Sequence, residues 1–459
     1  MNCQRPGTGI IGAQSETAAL PITTYAMPRQ FLGLRMKLRR RLAILLESMV
    51  IRPGPLIKLL NLLRKYWPIV VIQQFAIVTR YDDVREVLKS EDFQVDYYKA
   101  GPDQIVAMND CCEHQRDVSQ LRGARCRELA SVREVVRTHA ESLISTACGR
   151  GTLDLVEDYS RPLTLALIYR LLGLQNAGEP LMEWTRAIFR HVFANFTDDP
   201  LIAEQASHSR SRMDTFIDRQ VAAVAARSVT IGDSEPHGML YTLLQEGDGR
   251  QAHGRPESSS AEQKRRQQKV RNFVGGLACA TSETVSTAIA CSVDYLLDHK
   301  DILESARELA HGSDFQAGEA DGSSFDRLTH HVFEILRFRP EIPFLPRISM
   351  RNIIVAKGTS RAKLIPGNSL VLAAVASAMF DPEKFPDPYG FNPHRCLNDY
   401  LHFGLGLHEC LGKPVAMKAV PEALAALLRL KQLQRVRGRA GRLRFDGALP
   451  TNMLVEVAK

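Results

Sequence analysis

The chain has 459 residues, 45% hydrophobic and 24% charged, ordinary values for a globular protein and enough to bury a core that encloses a cofactor. Its 59 basic and 51 acidic residues leave a net charge of +8. The basic residues are spread along the chain without a nucleic-acid motif, so nucleic acid is not an expected partner, and no apolar run is long enough for a membrane-spanning helix.

Residues 1–30 are rich in Gly, Pro, Ser and Thr and read as a flexible lead-in without a signal-peptide pattern. The remainder, 31–459, reads as one domain. Within 32–50 a basic, apolar stretch holds Arg35, Lys37, Arg39, Arg40 and Arg41 beside Leu42–Leu46. An ordinary surface helix accounts for it, and peripheral contact with a membrane is the alternative. Nine cysteines, an odd number with no C-x-x-C pair, fit reduced thiols in a cytoplasmic protein better than a disulfide framework.

The runs 68–72 and 75–79, split by Gln73-Gln74, predict a β-hairpin, and 81–90 has helical spacing. From 113 to 299 nearly everything reads as helix. Breaks are expected near Gly173 and Asn176 and in the polar stretch 247–269, which reads as an exposed loop. The longest helix is expected over 267–299, and another over 324–338, stopping before Pro340. Short strands follow around 346–350, 352–358 and 369–374, with Pro366-Gly367 as a turn. The proline-dense segment 380–395 excludes regular structure. A glycine-rich loop then leads into a last helix, 413–430, which Pro421 is expected to kink or interrupt, and strand-like segments close the chain. The sum is a mainly α protein with a smaller β part (α+β).

The loop Phe403-Gly404-Leu405-Gly406-Leu407-His408-Glu409-Cys410-Leu411-Gly412 carries the chemistry. A lone cysteine is more often a small core residue, the reading given to the other eight. Cys410 differs because glycines flank it and a helix starts just after it. Glycines let the backbone fold tightly under a flat ligand and free amide N–H groups to face a sulfur. A helix N-terminus favours thiolate over thiol. Such a thiolate can bind iron and push electron density towards oxygen.

The loop resembles the haem-binding signature of the cytochrome P-450 superfamily: Phe, Gly, any, Gly, any, Arg or His, any, Cys, any, Gly. Every specified position matches, with a chance expectation on the order of one in a hundred thousand for a chain this long. The resemblance is tight over 330–430 and looser over 70–300, and 1–65 show nothing diagnostic. It implies haem b (iron protoporphyrin IX) held between the long central helix and the cysteine-loop helix, with Cys410 as the metal ligand and Phe403, Gly404, Gly406, His408 and Gly412 around the cofactor.

Glu334 and Arg337, three apart on a helix, would alone be an ordinary surface ion pair worth about 0.3–0.5 kcal/mol. With Arg395 they resemble the family's Glu-x-x-Arg helix and meander arginine, a structural lock rather than catalytic groups. In the long helix, Glu283-Thr284 resembles the family's acid–alcohol pair, which implies catalytic proton relay through ordered water. Thr281 replaces the usual glycine two positions before the acid. A haem's two propionates need donors. By resemblance these are His408 and Arg347, with His114 as a third. Val118 stands where an arginine usually follows that histidine, leaving Arg116 or Arg122 as substitutes. Tyr400 stands where many relatives have another histidine.

The expected function is a monooxygenase that inserts one oxygen atom from O2 into an apolar organic substrate. No flavin or iron–sulfur signature is present, so electrons would come from a separate partner, an acidic ferredoxin or flavodoxin. The alternatives are a peroxygenase or fatty-acid hydroperoxide isomerase, and a haem sensor without turnover. Gly275, Gly276 and Ala280 suggest room beside the haem, and Ile342 and Phe344 are expected to line the pocket by analogy.

Overall fold

The computed structural model describes residues 53–95, 97–98, 112–175, 178–195, 199–227, 238–245, 260–316 and 320–459. The expected lead-in and the basic stretch at 32–50 lie outside the described residues. Among the described residues, no helix is long and apolar enough to cross a membrane.

Helix α1 (Pro53–Tyr66) precedes the hairpin β1 (Ile69–Ile72) and β2 (Phe75–Val78). Gln73, at φ 55°, makes the tight turn, and Ile69 pairs with Val78 across it. Helix α2 (Tyr81–Lys89) and β3 (Phe93–Gln94) follow. The helical body consists of α3 (Cys112–Glu128), α4 (Val132–Arg150), α5 (Arg161–Leu172), α6 (Leu181–Phe189), α7 (Pro200–Arg227), α8 (Gly238–Gln245) and α9 (Ser260–Asp298). The expectation of helix here, broken only near Gly173 and Asn176 and over 247–269, missed β4 (Thr152–Asp154), a strand of three residues formed only by pairing with the chain's last strand. Gly173 ends α5 in the left-handed conformation at φ 72°, as glycine after a helix commonly does.

The α9 helix begins at Ser260, seven residues earlier than expected. The Glu, Gln, Lys and Arg residues of 262–269 read as loop because they are polar, yet they are good helix formers on a solvated turn. Beyond α10 (Lys300–Ala310), α11 spans Ser324–Phe338 as expected, with the Ser323 side chain capping Asp326 N–H.

Strands β5 (Leu345–Ser349) and β8 (Leu370–Ala373) join the N-terminal hairpin in a five-stranded sheet of order β1-β2-β8-β5-β3. Pairing is antiparallel except for β2 with β8. Strands β6 (Ile353–Val355) and β7 (Lys363–Ile365) make a separate pair. Residues 380–395 carry no helix or strand. Helix α12 (Lys413–Leu428) runs through Pro421 without interruption. Almost every residue from Ala419 to Leu428 is buried, and that packing outweighs the hydrogen bond proline removes. The chain closes with β9 (Gln432–Arg435), β10 (Arg444–Asp446), β11 (Leu449–Asn452) and β12 (Leu454–Ala458). β12 lies between β4 and β9.

Candidate active site

The 403–412 loop lies between the end of the proline-rich segment and α12. Gly404 (φ 65°) and Gly406 (φ 79°) adopt left-handed backbone that side-chain-bearing residues rarely take. A Cβ at Gly406 would come within 3.1 Å of the Leu88 carbonyl oxygen of α2. The loop closes when Cys410 N–H donates to Phe403 O at 2.8 Å. This directs the Cys410 side chain into a cavity of about 330 Å³ lined by Phe403, Gly404, Leu407, His408, Cys410 and Gly412. Gly406 is the one specified residue of the loop that does not line it; its backbone packs on α2 instead.

Cys410 has accessible surface, and that surface faces the cavity rather than bulk water. Burial pushes its thiol above the ordinary range, opposed by the N–H groups of Gly412 and Lys413; Glu341 and Glu409 push it further up. A cation beside the sulfur would reverse that balance in favour of thiolate.

The opposite wall is α9, where Gly275, Gly276, Ala280, Thr281, Thr284 and Ala288 line the cavity. Ile342 lines it too, while Phe344 lines only a smaller neighbouring chamber. His114, Arg347 and His408 all reach the main cavity, and the His114 and His408 rings lie 4.7 Å apart. Neither Arg116 nor Arg122 does: both are exposed, and Arg116 bonds back to Cys112 O. The lining arginine of α3 is Arg125, which donates to Leu411 O at 2.5 Å, next to Cys410. His114, Val118, Leu121 and Arg125 follow one helical face, and all four line the cavity. That spacing was the available signal for Arg125.

Tyr400 does not line the cavity. Its hydroxyl donates to Glu334 Oε2 at 2.6 Å, which removes it as a donor to a bound group. His402 lines the cavity, with Nε2 2.9 Å from Phe333 O, and burial holds its pKa down at about 4.

Behind the loop, Arg337 grips Glu334 through two bonds of 2.9 and 2.7 Å, both side chains fully buried. Arg337 also donates to the carbonyls of Pro388 and Gly390. Arg395 stands 3.5 Å from Glu334 and donates to Pro386 and Asp387. The pair is therefore no surface ion pair; it ties α11 to a segment with no ladder of its own.

Glu283 and Thr284 separate in space although adjacent in sequence. Thr284 lines the main cavity and donates to Ala280 O at 2.8 Å. Glu283 faces the smaller chamber, of about 70 Å³, which Thr284 also lines. One Glu283 oxygen takes a 2.9 Å bond from Arg186 of α6, while the other is buried without a hydrogen-bond partner among the described residues. Burial raises the Glu283 pKa, and Arg186 and then Arg161 oppose the rise.

The donor set fits a flat, largely apolar macrocycle with a metal at its centre and anionic edges. It offers one sulfur ligand, apolar walls, and imidazole and guanidinium groups from three separate elements. Comparison with known proteins agrees. The family model described as Cytochrome P450 matches residues 172–446. Cyclomarin C epoxidase CymV of Salinispora arenicola is 28% identical over 308 residues, covering 67% of this chain and 68% of that protein. The mycinamicin IV hydroxylase/epoxidase of Micromonospora griseorubida is 27% identical, covering 77% of this chain and 81% of its own length. Among solved structures, cytochrome P450 TbtJ1 superposes with TM-score 0.70 at 23% identity, over 88% of this chain and 98% of that one. CYP109B1 from Bacillus subtilis gives 0.69 at 23%, over 89% and 100%. The last two bear on the fold alone.

Proposed function

Since the chain belongs to the cytochrome P450 family and is thereby a haem monooxygenase acting with O2, an organic substrate and a redox partner, we propose that Cys410 is the thiolate ligand of a haem b. When bound, the haem supplies the reductive activation of O2 and the transfer of one oxygen atom to the substrate. The observation that carries the reading is the convergence of Cys410 with His114, Arg125, Arg347 and His408 on one apolar cavity.

Each residue has a task that its position supports. The N–H groups of Gly412 and Lys413 favour the anionic sulfur, and Gly404 and Gly412 keep the loop thin beside it. Arg347, His408, His114 and Arg125 are the donors for the two propionates. Thr284 faces the reacting side, with its hydroxyl placed to hand on a proton through ordered water. Glu283 replenishes that proton from behind the helix. Its bond to Arg186 makes α6 the element that holds or releases the carboxylate. The apolar lining excludes water and selects an apolar substrate.

The electron donor in this reading is an acidic ferredoxin or flavodoxin. Arg122 and Arg127 are exposed on the helix whose Arg125 touches Leu411, so a basic surface adjoins the cysteine loop.

The test is the carbon monoxide difference spectrum of the reduced, haem-loaded protein beside a Cys410→Ala control. A strongly red-shifted Soret band that is lost in the control is expected. A band at the position of histidine-ligated haem would overturn the role of Cys410. Turnover with peroxide but with no reduced donor would replace the monooxygenase by a peroxygenase.

A further inference from the structure

Glu341 has no part in the machinery above. It sits in the loop between α11 and β5, and it lines both the main cavity and the smaller chamber. Burial alone pushes its carboxyl up to about 8, and no hydrogen bond or counter-charge among the described residues opposes it. Its charge is felt at Cys410 and at Cys291, so it stands near the reacting centre. The arginines that line the main cavity are engaged elsewhere: Arg210 with Asp214, Arg125 with Leu411 O, and Arg347 beside Tyr98. A carboxyl kept in apolar surroundings costs free energy unless something arrives to pair with it.

The smaller chamber indicates what arrives. Tyr98, Phe189, Phe193 and Phe344 wall it. The Phe189 and Phe193 rings lie 4.6 Å apart, and Tyr98 and Phe193 5.3 Å. Glu283 presents a second carboxylate there, with one oxygen buried and unpartnered among the described residues. Aromatic faces around a carboxylate are the chemistry that recognises an alkylated ammonium ion, through cation–π attraction and a charge-assisted hydrogen bond.

We propose that this chamber is an ammonium subsite, and that the natural substrate is an apolar molecule carrying a basic tertiary amine, its cation seated against Glu341 among these rings. The proposal rests on the haem monooxygenase reading for its chemistry, but not for its binding test. The remainder of such a substrate extends past Thr284, which lines both chambers, into the main cavity.

The experiment is calorimetric titration of the haem-loaded protein at pH 7 with N,N-dimethyldecylamine and with 1-decanol. The wild type should bind the amine on the order of ten-fold more tightly or better, the scale of a charge-assisted bond in an apolar site. Glu341→Gln should erase that preference while holding decanol within about two-fold. Phe193→Leu should weaken the amine alone by a few-fold. Repeating the titration in buffers of different ionisation heat should show roughly one proton released by the wild type and none by Glu341→Gln, because pairing ionises a carboxyl that is mostly neutral at pH 7. Equal affinities for the two probes, or an amine preference that survives Glu341→Gln, would overturn the subsite. So would a Soret shift showing the amine nitrogen on the iron. Each of these can occur with the red-shifted carbon monoxide band intact, so the subsite can fail while the haem-thiolate reading stands. Loss of that band with the amine preference retained would be the reverse case.

Discussion

Arg186 of α6 and Glu283 of α9 meet at 2.9 Å, although 97 positions separate them in the chain. The bond holds one carboxylate oxygen and leaves the other buried and, among the described residues, unpartnered. Arg186 also donates to Pro450 O at 3.2 Å, so it links α6, α9 and the β11 strand behind the reacting wall.

Replacing that arginine tests the proton path. In Arg186→Leu, Glu283 loses the larger of the two cations that oppose burial, so its already raised pKa rises further. The carboxyl is then neutral over a wider pH range. Turnover at pH 7 should fall on the order of ten-fold, less than the roughly hundred-fold or more of complete loss of acid–base assistance because the carboxyl itself remains, and the acid limb of the pH profile should move to higher pH. Hydrogen peroxide released per electron pair should increase. An unchanged profile would remove Glu283 from the path.

The buried Glu334–Arg337 pair should behave as a lock. Glu334→Ala strands a fully buried guanidinium, which costs about 3–5 kcal/mol. Tyr400→Phe removes a single hydroxyl donor to the same carboxylate and should cost about 1.5–3 kcal/mol. Denaturant titration of the haem-loaded proteins checks both, and the order of severity is the informative outcome. If Tyr400→Phe instead reduced haem affinity with little change in stability, Tyr400 would be a cofactor contact after all.

Arg125→Leu should lower haem affinity about ten-fold, because it removes the one cation of α3 that lines the cavity. Arg122→Ala, at an exposed position on the same helix, should leave haem affinity unchanged. Competition with apomyoglobin measures both. Parity between the two variants would refute the placement of Arg125.

Glu341 also predicts a pH dependence of stability. Its folded pKa, about 8, lies above the unfolded value, so its contribution is fully present below about pH 4.3 and is lost as pH rises towards 8. Thermal melts of wild type and Glu341→Gln should therefore coincide most closely at pH 5. The variant should become progressively the more stable of the two up to pH 8. A constant difference across that range would mean that Glu341 does not titrate there.

Much of this protein was legible without coordinates. The 403–412 loop announces itself because a ligand, a turn and a thin backbone require particular residues at fixed separations. Helix α11 was bounded correctly by its apolar period and by Pro340. Other features were hidden for physical reasons. The start of α9 was misread because polar residues on a solvated helix resemble loop. The arginine of α3 was sought at Arg116 and Arg122, two and eight residues beyond His114, while the face that matters runs 114, 118, 121, 125. Glu341 is one acid in a loop, and nothing local marks it.

The division follows from the range of the forces involved. Backbone conformation, capping and the cysteine loop are set by residues within a few positions of one another, so the sequence by itself determined the 403–412 loop, the main helices and the β-rich part. Burial and pairing depend on what arrives from elsewhere in the chain. Only the tertiary structure decided that Glu334 and Arg337 lie beneath the surface, and that Tyr400 serves Glu334 rather than the cavity. It alone turned Glu283 towards Arg186 and left Glu341 facing aromatic rings, because the free energy of a charge is fixed by its surroundings and not by its neighbours in sequence.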